Sequence, residues 1–443
     1  MPAGWDAGYW VMRNPGSPMW ARCIRLAAAL IAAVHFQASG ARAQEGTLCT
    51  LPTEMATVLA LTRGNVANVT NTPPPTGTGL VTNPLILPPA SGGTGRRTEI
   101  CTNRLEAPKT IVIQPGTVVV ATGGFLGALL GRLDGARGHS AADGPGPGTD
   151  GLMGLGRKEK SPPPPGPASP FTVYAMGSLL GGTRADAPNL SGFGYDATSG
   201  TIGLEYAINR NLIVGLAGNT TITAVDVHNG ATVDVSAIQL AAYLSYATKQ
   251  WFVDAMAAAG SHELDLVRPG VVGPLRSSTD ACALALAVRG GYLFDFGGVR
   301  AGPIAGLTYI HSRVSGYVEK GDPDLAFTVS SLTFDNLAGS AGIRFLTSFQ
   351  VGGTLVVPYL NVTLEHLFGD RTRTLTATLT QLPALPPVLV PVPSFDARNF
   401  GKIEGGITLQ LGADFSASLS AATTFGRDEG HDFRVSTGLS FRF

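Results

Sequence analysis

The carboxyl-terminal stretch, residues 433–443, constrains this chain more than any other. Phe433, Val435, Thr437, Leu439, Phe441 and Phe443 fall on one face of a strand, and Arg434, Ser436, Gly438, Ser440 and Arg442 fall on the other. One face is apolar and the other is wet. The chain ends on Phe443 with no polar tail, so this strand is predicted to be part of the structure itself. Taken alone, it fits the edge of a sandwich as well as a stave of a barrel.

The same pattern repeats through residues 171–443 in about twelve alternating segments separated by turn residues. Leu204 and Tyr206 oppose Gly203 and Glu205, and Leu240, Ala242 and Leu244 oppose Gln239, Ala241 and Ser245. Leu284, Leu286 and Val288 oppose Ala285, Ala287 and Arg289; Leu360 and Val362 oppose Asn361 and Thr363; Ile407 and Leu409 oppose Glu404 and Thr408. Connections decide between the two architectures. Long ones are expected at 182–190, 226–234, 267–278, 319–326 and 369–396, and a moderate one at 427–432. Short ones fall between them, at 209–211, 248–250, 295–298, 348–353 and 411–413. A sandwich has no reason to sort loop length by parity, whereas a membrane barrel has tight turns at one end and free loops at the other.

A membrane barrel gives the polar face a meaning. Glu205, Asp254, Arg289, Arg344, Glu365, Glu404, Arg434 and Arg442 all lie opposite the apolar side and are read as lining the lumen in mixed sign. On the lipid side each would cost roughly 2–4 kcal/mol at the midplane. The expected role is a solvated or ion-paired interior rather than catalysis. His366 falls on the apolar face beside Leu364 and Phe368 and reads as interfacial, and the other histidines show no metal-ligand spacing.

Composition narrows the partners. Lys plus Arg and Asp plus Glu both number 31, so no charge excess points to nucleic acid. The four cysteines, Cys23, Cys49, Cys101 and Cys282, contain no C-x-x-C pair, which argues against zinc or thioredoxin-like chemistry, and no cofactor is expected. Near the amino terminus, Arg22 and Arg25 precede an apolar run over 26–36 and then Ala41-Arg42-Ala43, the pattern of an export signal cleaved before Gln44. Residues 1–43 are therefore assigned to a signal peptide.

Residues 44–133 form a short passenger-like region with little periodicity. Cys49 and Cys101 within it are either a disulfide, in an oxidising compartment, or two free thiols. The runs 111–113 and 118–120 read as short strands, and Leu126, Leu129, Leu130 and Leu133 give 125–133 the spacing of a short amphipathic helix. Residues 134–170 are a Gly/Pro-rich linker, ending in the proline run at 162–165. The glycine pattern at 151–156 lacks the strand and helix that a nucleotide loop needs, and Gly138-His139-Ser140 with Asp143 sits where no triad holds its register.

Several stretches of 171–443 resemble the translocator barrel of classical type V autotransporters. They are Gly194-Tyr195-Asp196 leading to Gly203-Leu204-Glu205-Tyr206, Tyr243-Leu244-Ser245-Tyr246 before Trp251-Phe252-Val253-Asp254, Gly316-Tyr317-Val318-Glu319, Gly342-Ile343-Arg344-Phe345, Glu365-His366, and the Phe443 terminus. The resemblance implies a twelve-stranded antiparallel transmembrane β-barrel in the outer membrane of a Gram-negative bacterium. It further implies that the terminal strand, through Phe433, Val435, Leu439, Phe441 and Phe443, is the signal read by the barrel assembly machinery after escort by periplasmic chaperones. It implies export of the upstream passenger to the cell surface, where a host or surface ligand is unspecified. Family members usually thread a helix through the pore before the first strand, and some cleave themselves at an asparagine in it. Here the proline run stands in that place, 125–133 is the candidate helix, and no asparagine lies between Asn103 and Asn189. No self-cleavage of that kind is expected. The alternatives are a porin-like or adhesive barrel acting through its external loops and, behind it, a hydrolase in the passenger or lumen. The passenger offers no G-x-S-x-G motif or convincing acid pair, so the expectation is a protein that is not an enzyme.

Overall fold

The computed structural model describes residues 110–111, 113–142, 170–186, 191–270, 273–322, 325–351, 354–368, 372–381, 387–393, 398–412, 414–427 and 430–443. The signal peptide, residues 44–109 with Cys49 and Cys101, and most of the proline-rich linker lie outside the described residues. Cys282 is disulfide-bonded.

Twelve long antiparallel strands close into a barrel. In chain order they are β1 (Phe171–Arg184), β2 (Phe193–Ala207), β3 (Leu212–Val227), β4 (Thr232–Ala247), β5 (Trp251–Arg268) and β6 (Leu275–Tyr292). After the two-residue β7 (Phe294–Asp295) comes β8 (Val299–Val314). Two short strands, β9 (Tyr317–Val318) and β10 (Phe327–Val329), precede β11 (Leu332–Thr347), and β12 (Phe349–Val351) precedes β13 (Thr354–Phe368). Then follow β14 (Thr372–Leu379), β15 (Val388–Pro393), β16 (Asn399–Gln410), β17 (Phe415–Phe425) and β18 (Gly430–Arg442). The last strand pairs with the first over its whole length, from Thr172 opposite Arg442 to Arg184 opposite Gly430, so the sheet has no free edge in the membrane.

Outward side chains carry the alternation read from the sequence. Ile202, Leu204, Leu216, Ile238, Leu240, Leu244, Leu364, Leu419 and Leu439 are all exposed on the outer wall. At the end that holds both Phe171 and Phe443 the wall is ringed by aromatic residues. Phe171 lies 4.9 Å from Tyr206 and 6.3 Å from Phe443, Tyr246 lies 4.9 Å from Trp251, and Tyr292 lies 4.8 Å from Phe294. Such rings favour the membrane–water boundary, with an apolar body and, in Tyr and Trp, a polar tip.

At the opposite end the faces exchange roles. The strands there are longer than the roughly 9–11 residues that a bilayer crossing takes; β5 and β6 have 18 residues each. In β4 the outward residues are apolar from Tyr246 to Ile238, then become Ser236, Asp234 and Thr232. Inward residues go the other way, from Ser245 and Gln239 to buried Val235 and Val233. Lipid outside demands apolar side chains; above the bilayer, water outside demands polar ones and the interior becomes an ordinary apolar core. That core gathers Phe193, Tyr195, Val225, Val227, Val233, Val235, Leu264 and Leu266 from the rim.

The expected loop at 226–234 is therefore mostly strand. β3 runs to Val227, and only residues 228–231 separate it from β4. Gly230 takes φ 82° and donates its N–H to the Val227 carbonyl at 2.8 Å. Asn229-Gly230 is a hairpin signal whose positive φ suits glycine, and it outweighs the parity argument. The 319–326 and 369–396 connections do grow, but not as plain loops. β9 and β10 flank the first and β14 and β15 lie within the second, and the four form a second sheet, in the order β15-β14-β10-β9, over that end of the barrel.

The stretch before the barrel departs most from expectation. A 29-residue helix, α1 (Gln114–Ala142), replaces the short helix at 125–133, takes in residues 134–142 of the expected linker, and absorbs 118–120, read as a strand. Thr110 and Ile111 are helical and Ile113 is in a turn, so neither of the described residues of 111–113 is in a strand. At about 1.5 Å per residue α1 is about 43 Å long, enough to run through the barrel. By length and composition it passes for a membrane-crossing helix, yet two thirds of its apolar window is buried, because its surroundings are the lumen rather than lipid.

Candidate functional site: the occupied lumen

α1 passes through the barrel in two chemical zones. Its first half is uncharged, and Ile111, Ile113 and Val118 enter the rim core. Lower down, Phe125, Leu126, Leu129 and Leu133 meet Tyr174, Met176, Ala241, Tyr243, Met256 and Ala285 of the wall. One face of this stretch is glycine. A Cβ on Gly124 would meet Leu180, on Gly127 the Arg434 guanidinium, and on Gly135 the Thr408 hydroxyl. Gly131 is close enough for Tyr359 to donate to its carbonyl at 3.3 Å. The glycine face thus leaves room for side chains that β1, β16 and β18 send into the lumen.

The charged zone follows. α1 bears Arg132, Asp134 and Arg137, and the wall answers each with the opposite sign. Arg132 donates two parallel hydrogen bonds to Glu205, at 3.0 and 2.7 Å, and lies 3.8 Å over the ring of Tyr174. Tyr243 donates to the same carboxylate at 2.9 Å. Asp134 is the hub. Its Oδ1 is 2.5 Å from Arg289, 2.6 Å from Arg344 and 2.8 Å from Arg137, while Asn361 donates to Oδ2 at 2.8 Å. Arg137 also pairs with Asp254, which accepts from Arg289 at 3.0 Å and from Ser245 at 2.8 Å. The ring of Phe252 lies within cation–π range of Arg137, Arg289 and Arg344, at 4.1, 6.0 and 4.6 Å. A third group, Arg434 to Glu404 at 2.6 Å with Lys402 at 3.2 Å, stands against the glycine face.

The fold brings together Glu205, Asp254, Arg289, Arg344, Glu404 and Arg434 around α1. Two of the sequence candidates stand apart. Glu365 is half-buried and accepts from Thr363 at 2.8 Å, and Arg442 is exposed beside the aromatic ring of the wall. Phe433, Val435, Leu439, Phe441 and Phe443 are all exposed on the outer face of β18. His366 is outward too, 4.6 Å from the Phe368 ring. Sequence reading missed the helix's own half of the network. The signal for it was there: within 114–137 the only charges are Arg132, Asp134 and Arg137, and they alternate in sign.

These ion pairs span the lumen between α1 and the wall and engage Glu205, Asp134, Asp254 and Glu404. Breaking one partner out of such a buried group costs about 3–5 kcal/mol, so the arrangement holds the helix in one axial position. Among the described residues no group of His, Cys, Asp and Glu is arranged to hold a metal ion.

Comparison with known proteins follows the same outline. The family described as "Autotransporter beta-domain" matches residues 175–422, more than half of the chain. The translocator domain of autotransporter NalP from Neisseria meningitidis is similar in structure, with a TM-score of 0.51 and 15% identity, covering 72% of this chain and 98% of that one. Outer membrane protein A of Rickettsia conorii is 22% identical over 221 residues, covering 46% of this chain and 11% of the relative. Its counterpart in Rickettsia rickettsii is also 22% identical, with 10% of the relative covered. The chain thus spans about a tenth of the length of those curated relatives.

Proposed function

The chain belongs to the autotransporter β-domain family, an outer-membrane β-barrel family, and from that premise we propose that it carries its own amino-terminal segment, residues 44–109, to the cell surface and holds it there through α1. One observation carries this reading: the direction of the helix. Its amino-terminal end lies in the rim core under the second sheet, where Asn229 donates to Thr110 at 2.7 Å. Its charged, carboxyl-terminal half meets Phe252 and Asp254, near the end of the barrel that holds Phe171 and Phe443. Tight turns and both ends of the barrel domain belong on the periplasmic side, so the chain preceding Thr110 leaves from the external mouth.

Assembly in the outer membrane is the common property of the family. The finer part of the proposal is that the outward row Phe433, Val435, Leu439, Phe441 and Phe443 is what the barrel assembly machinery reads, after delivery by periplasmic chaperones. The filled lumen favours a plugged translocator over a porin. We also propose that the chain is not an enzyme, because the lumen carboxylates Glu205, Asp134, Asp254 and Glu404 are each committed to arginine.

An epitope tag after Gln44 tests the reading. Protease added to intact cells is expected to remove the tag while the barrel, scored by its heat-modifiable migration in gels, stays intact. A tag protected in intact cells that carry a correctly folded barrel overturns surface display.

A further inference from the structure

The second sheet, β9-β10-β14-β15, has an underside with no support of its own. Phe327, Val329, Leu375, Ala377 and Leu379 are buried, and what they share a core with is the rim of the barrel together with Ile111, Ile113 and Val118 of the threading segment. Ile111 is 2% exposed, and Ile113 and Val118 are fully buried at 0%. Gln114, in the first turn of α1, lies beneath Tyr317 of β9, and the Tyr317 hydroxyl is pushed up by its burial and by Glu319 beside it. The sheet is fastened to the barrel at one side. Arg268, at the end of β5, donates to Glu319 at 2.7 and 2.5 Å and to the Leu325 carbonyl at 2.7 Å, and Arg276 and Lys320 pair through their backbones. The sheet is also continuous with the barrel, since β9 follows directly on β8, β10 leads directly into β11, and β14 follows closely on β13; its underside rests on apolar contact.

We propose that the second sheet is a completion latch: it closes over the external mouth only when Ile111, Ile113 and Val118 arrive beneath it, at the end of translocation. This rests on the reading of the barrel as a translocator. The physical reason is that without those side chains the mouth is a hollow lined by Val225, Val227, Val233, Val235, Leu264 and Leu266, and a hollow of that lining either collapses or admits water. While the passenger is moving through the mouth, no fixed set of apolar side chains is held beneath the sheet for it to close on. Once the helix seats, Ile111, Ile113 and Val118 fill the hollow, the sheet folds down about its short connections to β8, β11 and β13 with Arg268 holding Glu319, and the displayed chain is barred from slipping back. The sheet's far strand is suited to ending the closure rather than extending it. Pro391 and Pro393 of β15 pair with Thr374 and Thr372, and prolines there remove backbone donors from an otherwise open edge.

The test is trypsin added to intact cells expressing the full chain, comparing the wild type with Ile113→Asp/Val118→Asp, with cleavage after Lys320 read by fragment mass. Ile113, just before α1, and Val118, in its first turns, are far from Arg132, Asp134 and Arg137, so the charged plug stays intact. The wild type is expected to resist at Lys320, the double variant to be cut at least tenfold faster, with the barrel's heat-modifiable shift and removal of the Gln44 tag unchanged. Cleavage within twofold of wild type, with the tag still removable, overturns the latch and leaves the translocator standing. Loss of surface tag in the wild type itself would instead sink the translocator reading. If the double variant loses its heat-modifiable shift, Ile113→Ala supplies the comparison: acceleration at Lys320 supports the latch, and unchanged protection refutes it.

Discussion

Replacing Asp134 by alanine perturbs the plug at the point where most of its charge converges. In the native lumen Asp134 and Asp254 face Arg137, Arg289 and Arg344, so two carboxylates serve three guanidinium groups. Asp134→Ala leaves Asp254 alone against all three. Arg344 suffers most: it is 1% exposed, and it keeps no direct carboxylate partner, only the 2.8 Å hydrogen bond to Asn361 and the ring of Phe252. Uncovering one side of a buried pair costs about 3–5 kcal/mol, which the bound position of the helix bears and the withdrawn position, with a wet lumen, does not. At about 1.4 kcal/mol per tenfold, the helix should spend roughly two to three and a half orders of magnitude more time out of its seat. Single-channel recording in planar bilayers measures this as the open fraction. A companion variant sharpens the reading: Asp134→Ala/Arg344→Met removes the stranded charge and should recover at least half of the effect on a logarithmic scale. An open fraction for Asp134→Ala within threefold of wild type would refute the view that these ion pairs seat the helix.

Gly127→Leu puts a side chain where the Arg434 guanidinium lies, separating it from Glu404; overpacking of this kind costs about 1–3 kcal/mol, visible as a lower temperature for the heat-modifiable shift. Leu240→Arg, on the lipid side of β4, should cost about 2–4 kcal/mol in refolding titrations with lipid vesicles, while Asp234→Arg on the same face above the bilayer should cost less than about 1 kcal/mol; equal costs would deny the exchange of faces along the strand. Phe443→Ser removes a ring that lies 6.3 Å from Phe171 and 6.4 Å from Phe441, and pulse-chase assays should show slower membrane insertion with no change in secretion across the inner membrane.

Much of the architecture was legible because the lipid phase imposes a rule that local sequence must obey at every other residue. Leu204 against Glu205 and Leu240 against Gln239 follow from it, as does the outward row from Phe433 to Phe443, and no knowledge of neighbouring strands is needed. The N-G turn at Asn229-Gly230 was also written locally, though loop parity hid it. α1 was not legible. Thr117, Val118, Val119 and Val120 favour strand by their branching, and Gly123, Gly124, Gly127, Gly131 and Gly135 each weaken a helix. A helix forms there because the lumen leaves its backbone no other hydrogen-bond partners and leaves room on one side for nothing larger than glycine beside Arg434 and Thr408. Alternation along each strand was enough to read residues 171–443 as a barrel with lipid on one face and charge within. Which charges meet depends on the folded lumen, because Arg132, Asp134 and Arg137 find Glu205, Arg289, Arg344 and Asp254 across separations that no local pattern encodes.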